Sequence, residues 1–402
     1  MSIVSRKIRR VKLSPSVAAR IVIAERLAKG LQIMDLTLGE PDFPTPEHIC
    51  EAAHEAIRRG DTKYPPAQGK MSLREAVANK FKRELGVDYP VKQIIVGTGA
   101  KQVIFNALAA SLEGRNEVIV PAPYWVSYPD MVLAAGGVPV LVRNSAETGF
   151  KLTAEALERA ITPRTKWLIL NSPNNPTGAV YSRQELAGIA DVLRRHPSVW
   201  ILTDDIYTEL NFTGEKRVPH ILDVAPDLVN RTLVVNGVSK AYAMTGWRVG
   251  FGAGPKELLQ AMAVIQSQST SGATSISQAA ALAALTGPQD CVARFARIYQ
   301  QRRDLALGEL AGVSGLRIVK PMGAFYLFPD CSGLLGRKTP EGQVIATDAD
   351  LVQYLLTSRG VALIDGAAYG GSGAFRLSFA AAENDIRSGC AAIREACGAL
   401  SS

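Results

Sequence analysis

Histidine is scarce in this chain, with four among 402 residues. The closest pair, His48 and His54, is six positions apart on a predicted helix, which sets the rings on different faces and argues against a shared metal ion. The five cysteines, Cys50, Cys291, Cys331, Cys390 and Cys397, are odd in number and scattered, with no C-x-x-C pair. That spacing supports neither a disulfide framework nor a thiolate zinc site, and a reducing, cytoplasmic compartment is the expectation. No run of about 18 apolar residues appears, so a membrane-spanning helix is not expected. The start of the chain also lacks the apolar core of a secretion signal, and it has no acid before Glu25. This basic, amphipathic stretch has some likeness to an organelle transit peptide; a surface helix of the folded protein is the reading adopted.

What is present is the composition of an ordinary folded protein. Hydrophobic residues reach 47% against 20% charged, which rules out disordered, collagen-like and coiled-coil chains. The length corresponds to two or three domains at roughly 100–200 residues each. The charge balance, 45 − 37 = +8, suits nucleic acid or anionic small molecules, and charge alone does not choose between them.

Between about residues 90 and 255, seven short β-rich runs recur: QIIVGTG (93–99), EVIVP (117–121), VPVLV (138–142), KWLILN (166–171), VWILTDD (199–205), TLVVNG (232–237) and VGFGAG (249–254). Helical patterns such as KQVIFNALAASL and SRQELAGIADVLRRH separate them. Near-continuous hydrophobicity predicts strands buried on both faces, and the three-to-four spacing predicts covering helices. The expected fold is α/β, a three-layer α/β/α sandwich around a mostly parallel seven-stranded sheet. Beyond about 290, a charged helix (ARFARIYQQRRDLALGEL), the short strands LRIVK, AFYLFPD, VALIDG and FRLSFA, and two further helices read as a smaller α+β domain. The N-terminal segment lacks the periodicity to fold alone. The expected division is therefore a large domain over 48–290 and a small one joining 1–47 with 291–402.

In such sheets ligands bind outside the carboxyl ends of the strands. The first strand runs into GTGAKQ and opens a helix, whose free N–H groups and dipole suit a phosphate. A dinucleotide fingerprint is missing, because Gln102 stands where a third glycine belongs and Glu117 begins rather than ends the next strand. The second strand leads to PAPYWVSY, offering Trp125 as cover for a planar ring or as ordinary packing. NSPNNPTG follows the fourth strand, a dense turn whose side-chain amides can aim donors inward. TDDIY closes the fifth with Asp204, readable as a helix cap, a metal ligand or the partner of a ring nitrogen, and Tyr207 follows three positions on. The richest stretch is GVSKAYAMTGWRVG (237–250), with Lys240 beside Ser239 and eight residues before Arg248. A lysine emerging from apolar surroundings near a second cation has the setting that lowers its pKa and makes it a Schiff-base nucleophile.

Taken in order, LTLGEPDF, YPPAQGK, GTGAKQ, PYWVSY, NSPNNPTG, TDDIY, GVSKAYAMTGWRVG and FRLSFA resemble the motifs of class I pyridoxal-phosphate aminotransferases, the aspartate aminotransferase family of fold type I. The resemblance covers essentially the whole chain and looks like the bacterial branch of aspartate and aspartate/prephenate enzymes. It implies that Lys240 binds pyridoxal 5'-phosphate as a Schiff base and moves a proton at the substrate Cα. It implies that Asp204 keeps the ring nitrogen protonated, that Asn175 and Tyr207 bond the phenolic oxygen, and that Trp125 stacks on the ring. The implied phosphate site comprises the backbone N–H groups of Ala100 and Lys101, the Ser239 hydroxyl and the Arg248 fork. Tyr64 would reach the phosphate of the neighbouring subunit in a homodimer. For substrate, the resemblance implies Arg376 as a bidentate clamp on the α-carboxylate beside Gly39, with Trp125 and Asn175 completing the grip. Lys101 would take a distal carboxylate, assisted by a hydroxyl near Ser16. Lys12 matches a residue associated with prephenate use, or is simply solvated.

The implied reaction is a ping-pong exchange of an amino group between an L-amino acid, aspartate in the first instance, and a 2-oxo acid such as 2-oxoglutarate. Nucleic acid and membrane are not among the expected partners. Rivals are an aminotransferase of aromatic, neutral or prephenate specificity, and a lyase or decarboxylase on the same scaffold. A ligand-sensing regulator is another, disfavoured because no basic winged-helix module precedes the fold. Two sites depart from the family pattern. Ala100 replaces a glycine at a helix start, which a helix tolerates. LIDGAAYG carries Asp365 and Tyr369 where relatives have Pro and Phe; the carboxylate either repels a dicarboxylate or caps a turn.

Overall fold

The computed structural model describes residues 3–5, 7–12 and 15–401, with backbone alone for 15–20. A short strand β1 (Met34–Asp35) precedes the seven strands of the main sheet: β2 (Ile94–Gly97), β3 (Glu117–Ala122), β4 (Val138–Arg143), β5 (Thr165–Asn171), β6 (Trp200–Asp204), β7 (Thr232–Gly237) and β8 (Gly250–Ala253). Each predicted run forms one of these strands. Their order across the sheet is β2-β8-β7-β6-β5-β3-β4, parallel throughout except for β8, which runs antiparallel to both neighbours.

Successive residues along a strand point to opposite faces. Ile94, Val96, Ile119, Leu168 and Ile201 enter one apolar cluster, while Ile95, Val118, Trp167 and Leu202 enter another. Helices Met71–Leu85, Arg183–Arg195 and Ser275–Thr286 cover the first face; Ala100–Ser111, Ser127–Ala134 and Lys256–Ser267 cover the second. Burial on both sides is why most of these strands read as unbroken hydrophobic runs; the edge strand β4 departs from that expectation, since no strand flanks it beyond β3 and its Val138 and Leu141 are exposed.

The remaining strands are β9 (Tyr326–Leu327), β10 (Val361–Ala362), β11 (Ile364–Asp365) and β12 (Phe375–Ser378). β1 pairs in parallel with β10, and β11, β12 and β9 form a small antiparallel sheet. Leu36, Phe325 and Leu377 pack there with Phe295 and Tyr299 of the long helix Asp290–Leu310. Two expectations change. LRIVK is not a strand; Arg317 makes one isolated bridge to Asp330. VALIDG breaks at Leu363, because its first half pairs with β1 and its second with β12. The basic N-terminal stretch forms helix Pro15–Ala28, whose Ile23 is buried with Leu356 and Ala362. Among the described residues, no helix is long and apolar enough to cross a membrane.

Candidate active site

A cavity of 490 Å³ opens beyond the strand ends, lined by Gly39, Ala100, Lys101, Trp125, Asn175, Asp204, Tyr207, Ser239, Lys240, Arg248 and Arg376 of the residues named from the sequence. Five strands, β2, β3, β5, β6 and β7, deliver most of these residues from their carboxyl ends. β8 contributes from its beginning, since its antiparallel course puts Gly250 beside Gly237. Arg248 therefore reaches the same edge as Lys240.

One corner of the cavity is built for an anion. Gly99 caps helix Ala100–Ser111 with φ +84° and ψ 158°, a conformation open to glycine. A Cβ there would lie 2.4 Å from Arg248 Nη2, so the guanidinium rests directly against the helix start. Gly250 permits an equally close approach, as its Cβ would fall 2.1 Å from the Ala100 nitrogen. Arg248 Nη1 donates to the Thr245 carbonyl at 2.8 Å, which fixes the fork. A cation held at the positive end of a helix is unfavourable until an anion sits between them. The buried Ser239 adds a hydroxyl to the same cavity. These donors fit a phosphate. Gly99→Ala is expected to cost about 1–3 kcal/mol of unfolding free energy, through backbone strain and displacement of Arg248. Denaturant unfolding measures it, and an unchanged midpoint would show that the turn relaxes freely.

The middle of the cavity holds an amine and a carboxyl. Lys240 donates to the Gly39 carbonyl. Burial pushes its pKa down to about 8; Glu40 opposes that shift, while Arg376 and Arg248 add to it. Asp204 ends β6 with 4% of its surface exposed. Its Oδ2 accepts from the Tyr128 hydroxyl at 2.6 Å and its Oδ1 from the Ile206 N–H at 3.4 Å. Burial nevertheless pushes its pKa up to about 6, from the 3.8 of an ordinary aspartate. Folding penalises the charged carboxylate, so the penalty is absent below the unfolded value and complete above about pH 6. Asp204→Asn should therefore stabilise the cofactor-free protein by about 2–3 kcal/mol at pH 7–8 and change little near pH 4. Thermal melting across that range measures the effect, and equal melting temperatures at pH 8 would contradict it.

At the far wall, Arg376 is 2% exposed. Nη1 donates to Asn175 Oδ1 at 3.1 Å and Nη2 to the Thr37 carbonyl at 2.6 Å. The guanidinium lies against the rings of Tyr326 and Tyr369, 4.4 and 5.0 Å from their centroids. Its Nε is buried with no hydrogen-bond partner among the described residues, a donor left over for a ligand. Asn175 is held in turn by Asn171, whose Oδ1 accepts the Asn175 N–H at 2.9 Å and whose Nδ2 donates to the Asp204 carbonyl at 2.8 Å. The Tyr207 hydroxyl pairs with that of Tyr326 at 2.9 Å. Near the mouth, the Lys101 ammonium sits 4.7 Å from the centre of the Trp125 ring. Desolvation there, with the Arg248 cation, lowers its pKa.

The whole-chain comparisons match this geometry. A family model described as aminotransferase class I and II covers residues 32–393. The chain belongs to that family. The aminotransferase is 50% identical over 399 residues to a probable aspartate/prephenate aminotransferase of Rhizobium leguminosarum bv. phaseoli, covering 99% of this chain and 100% of the relative. It is also 50% identical over 402 residues to the aspartate/prephenate aminotransferase of Cereibacter sphaeroides, with 100% of both chains covered. Its structure matches a crystal structure of the aspartate aminotransferase of Rhizobium meliloti with a TM-score of 0.97, at 47% identity and 100% coverage of both chains. It matches the aspartate aminotransferase of Thermus thermophilus, solved with maleate, with a TM-score of 0.90 at 42% identity, covering 98% of this chain and 100% of that one. The fold is thus fold type I, the activity is that of a transaminase, and the family depends on pyridoxal phosphate.

Several predicted residues of the aminotransferase stand apart from its cavity. Tyr64 is 94% exposed and does not line the cavity of its own chain. Lys12 is exposed; its backbone N–H donates to Asp130 Oδ1 at 3.3 Å. The Ser16 side chain lies outside the described residues. Asp365 does not line the cavity either; its carboxylate accepts the Ala368 N–H at 3.0 Å and caps the turn Gly366–Tyr369. Of its two readings, the cap is the one the geometry supports. Sequence reasoning missed Tyr128, Tyr326, Glu40 and the Thr37 carbonyl. Glu40, which accepts from Thr245 Oγ1 at 2.8 Å, stood within the quoted LTLGEPDF.

Proposed function

We propose that this transaminase binds pyridoxal phosphate in the 490 Å³ cavity and exchanges amino groups between aspartate and 2-oxoglutarate. The observation that carries the reading is that the Arg376 guanidinium and the Lys101 ammonium line one cavity together with the Lys240 amine. That array suits a substrate carrying two carboxylates. The names of the relatives point the same way, as does the maleate of the Thermus thermophilus structure, itself a dicarboxylate.

Bound pyridoxal phosphate supplies an aldehyde that condenses with amines and a pyridinium ring that draws electrons from the bond being broken. The helix start at Ala100, Ser239 and Arg248 bind the phosphate. Asp204 would hold a proton at the ring nitrogen, and Trp125 would cover the ring. Arg376 orients the α-carboxylate through its fork, which sets the Cα–H bond toward Lys240. Lys240 Nζ would be the base that takes the Cα proton. Tyr64, exposed on its own chain, serves the phosphate of a second copy in a homodimer. The division into 48–290 and 1–47 with 291–402 is part of the same reading, supported by the β1–β10 pairing. Closure of the smaller part over the carboxylates excludes water.

A spectroscopic panel of single amino acids tests the reading. Aspartate and glutamate are expected to convert the bound cofactor stoichiometrically to its pyridoxamine form. Continuous release of pyruvate and ammonia from one amino acid would instead identify a lyase. Prephenate belongs in the panel as an amino acceptor, because relatives are named for it.

A further inference from the structure

β6 separates two cavities. Asp204 and Ile206 line the one already described, whereas Thr203 and Asp205 line a second, of 380 Å³, together with His220. The alternation of side chains along an extended segment places these neighbours on opposite sides. Asp205 is 5% exposed and His220 6%. Two carboxyls adjacent in sequence are thus both withdrawn from bulk water, and only the first faces the active cavity.

The partners of the second carboxyl are specific. Thr203 Oγ1 donates to Asp205 Oδ2 at 3.3 Å, and His220 Nε2 lies 3.3 Å from the same oxygen and 3.1 Å from Thr203 Oγ1. His220 caps the short helix Ile221–Val224: its Nδ1 accepts the Leu222 N–H at 3.1 Å. A ring nitrogen that accepts a backbone N–H carries no proton of its own. The single ring proton therefore sits on Nε2, the imidazole is neutral, and it meets Asp205 as a hydrogen-bond donor rather than a counter-ion. The Asp205 N–H donates to the Val235 carbonyl at 2.8 Å, which fixes its backbone beside β7.

We propose that Asp205, held by Thr203 and the neutral His220, is a positioning residue whose uncompensated charge strengthens the grip of Asp204 on the ring-nitrogen proton of the cofactor. The proposal rests on the reading that Asp204 faces that nitrogen. A like charge behind a carboxylate raises its affinity for a proton. The upward shift of Asp204 comes first from burial, with the Asp205 charge adding to it against the Tyr128 hydrogen bond. The other titratable groups around the pair are Tyr128, Tyr207 and Lys240 near Asp204 and Tyr89 near Asp205, and Arg83, Glu84, Glu209, Lys216 and Arg217 line the second cavity with Asp205.

The test uses the full chain with and without cofactor. In the cofactor-free protein labelled with carboxyl carbon-13 aspartate, the resonance lost in Asp204→Asn reports the Asp204 titration. Asp205→Asn is expected to lower the proton affinity of Asp204 about tenfold. With nitrogen-15 in the cofactor ring, the same variant should lose the ring proton at lower pH than the wild type. His220→Asn keeps an oxygen to cap the helix but withdraws the Nε2 donor, so it should move both titrations in the same direction by less. It also carries the test if Asp205→Asn does not fold. An Asp204 titration unchanged in both variants would overturn the coupling. If instead Asp204 shifts as expected while the ring nitrogen titrates alike in wild type and Asp204→Asn, the placement of Asp204 against the ring fails and the coupling stands.

Discussion

Lys240→Ala is expected to lower transamination by about ten-thousand-fold or more, while the protein stays folded. The side chain supplies two functions at once, the amine that engages the cofactor aldehyde and the base that moves the Cα proton. With a pKa near 8, about half the amines are unprotonated at pH 8, against roughly 1% or less for an ordinary lysine. Neither function has a substitute close by. Lys101 lies against Trp125, and the other two cations of the cavity are guanidinium groups, a poor class of base. Stability should move the other way from activity. A lysine with a lowered folded pKa penalises the fold below about pH 8, and the penalty fades as pH rises toward the unfolded value. The cofactor-free variant should therefore melt no lower than wild type at pH 7. Steady-state rates, the visible absorbance of the bound cofactor and a thermal melt read the three parts, and retained turnover would overturn the assignment of Lys240.

Arg376→Ala should reduce kcat/KM for amino and keto acids alike by about a hundred- to a thousand-fold. The guanidinium offers the fork that a carboxylate accepts, and Asn175, Thr37 and two tyrosine rings hold it in one orientation. Its removal also strands the Asn175 and Thr37 oxygens in a buried wall, so a loss of about 1–3 kcal/mol in stability should accompany the kinetic defect. Arg376→Lys should recover little activity, because a single ammonium cannot reproduce a planar two-donor contact. Comparing aspartate with a neutral amino acid is the sharper measurement. Equal losses place Arg376 on the carboxylate common to every substrate; a defect confined to dicarboxylates would exchange its role with that of Lys101.

The main sheet is legible in the sequence because its central strands are covered on both faces, so they appear as unbroken apolar runs with chemistry at their ends, whereas the half-exposed edge strand β4 shows only the apolar run. The small strands are less legible. Two-residue pairings such as β10 and β11 carry no period, and only the partner strands decide where VALIDG breaks. The cavity residues found by motif share that advantage of position, since Asp204 ends a buried strand and Lys240 and Asn175 follow two others. Tyr326 is hidden because AFYLFPD reads as core, and a periodicity does not show where a phenol oxygen points. Thr37 contributes a backbone carbonyl, which has no side-chain signature. Tyr128 had a signal that went unused: it lies three residues after Trp125 at the first turn of a helix, where its ring meets the indole edge-on at 5.3 Å. A tyrosine buried there needs a hydrogen-bond partner.

The reversed course of β8 has a consequence for how this site tolerates change. Gly237 and Gly250 are paired neighbours, so residues 238–249 form a loop whose two ends are tied together, and Lys240 and Arg248 both ride on it. The separation between amine and guanidinium is thus measured within one closed segment rather than across the sheet. Point substitutions in the loop leave that ruler intact. An insertion or deletion between 240 and 248 changes its length, and no compensating shift elsewhere in the chain can restore it.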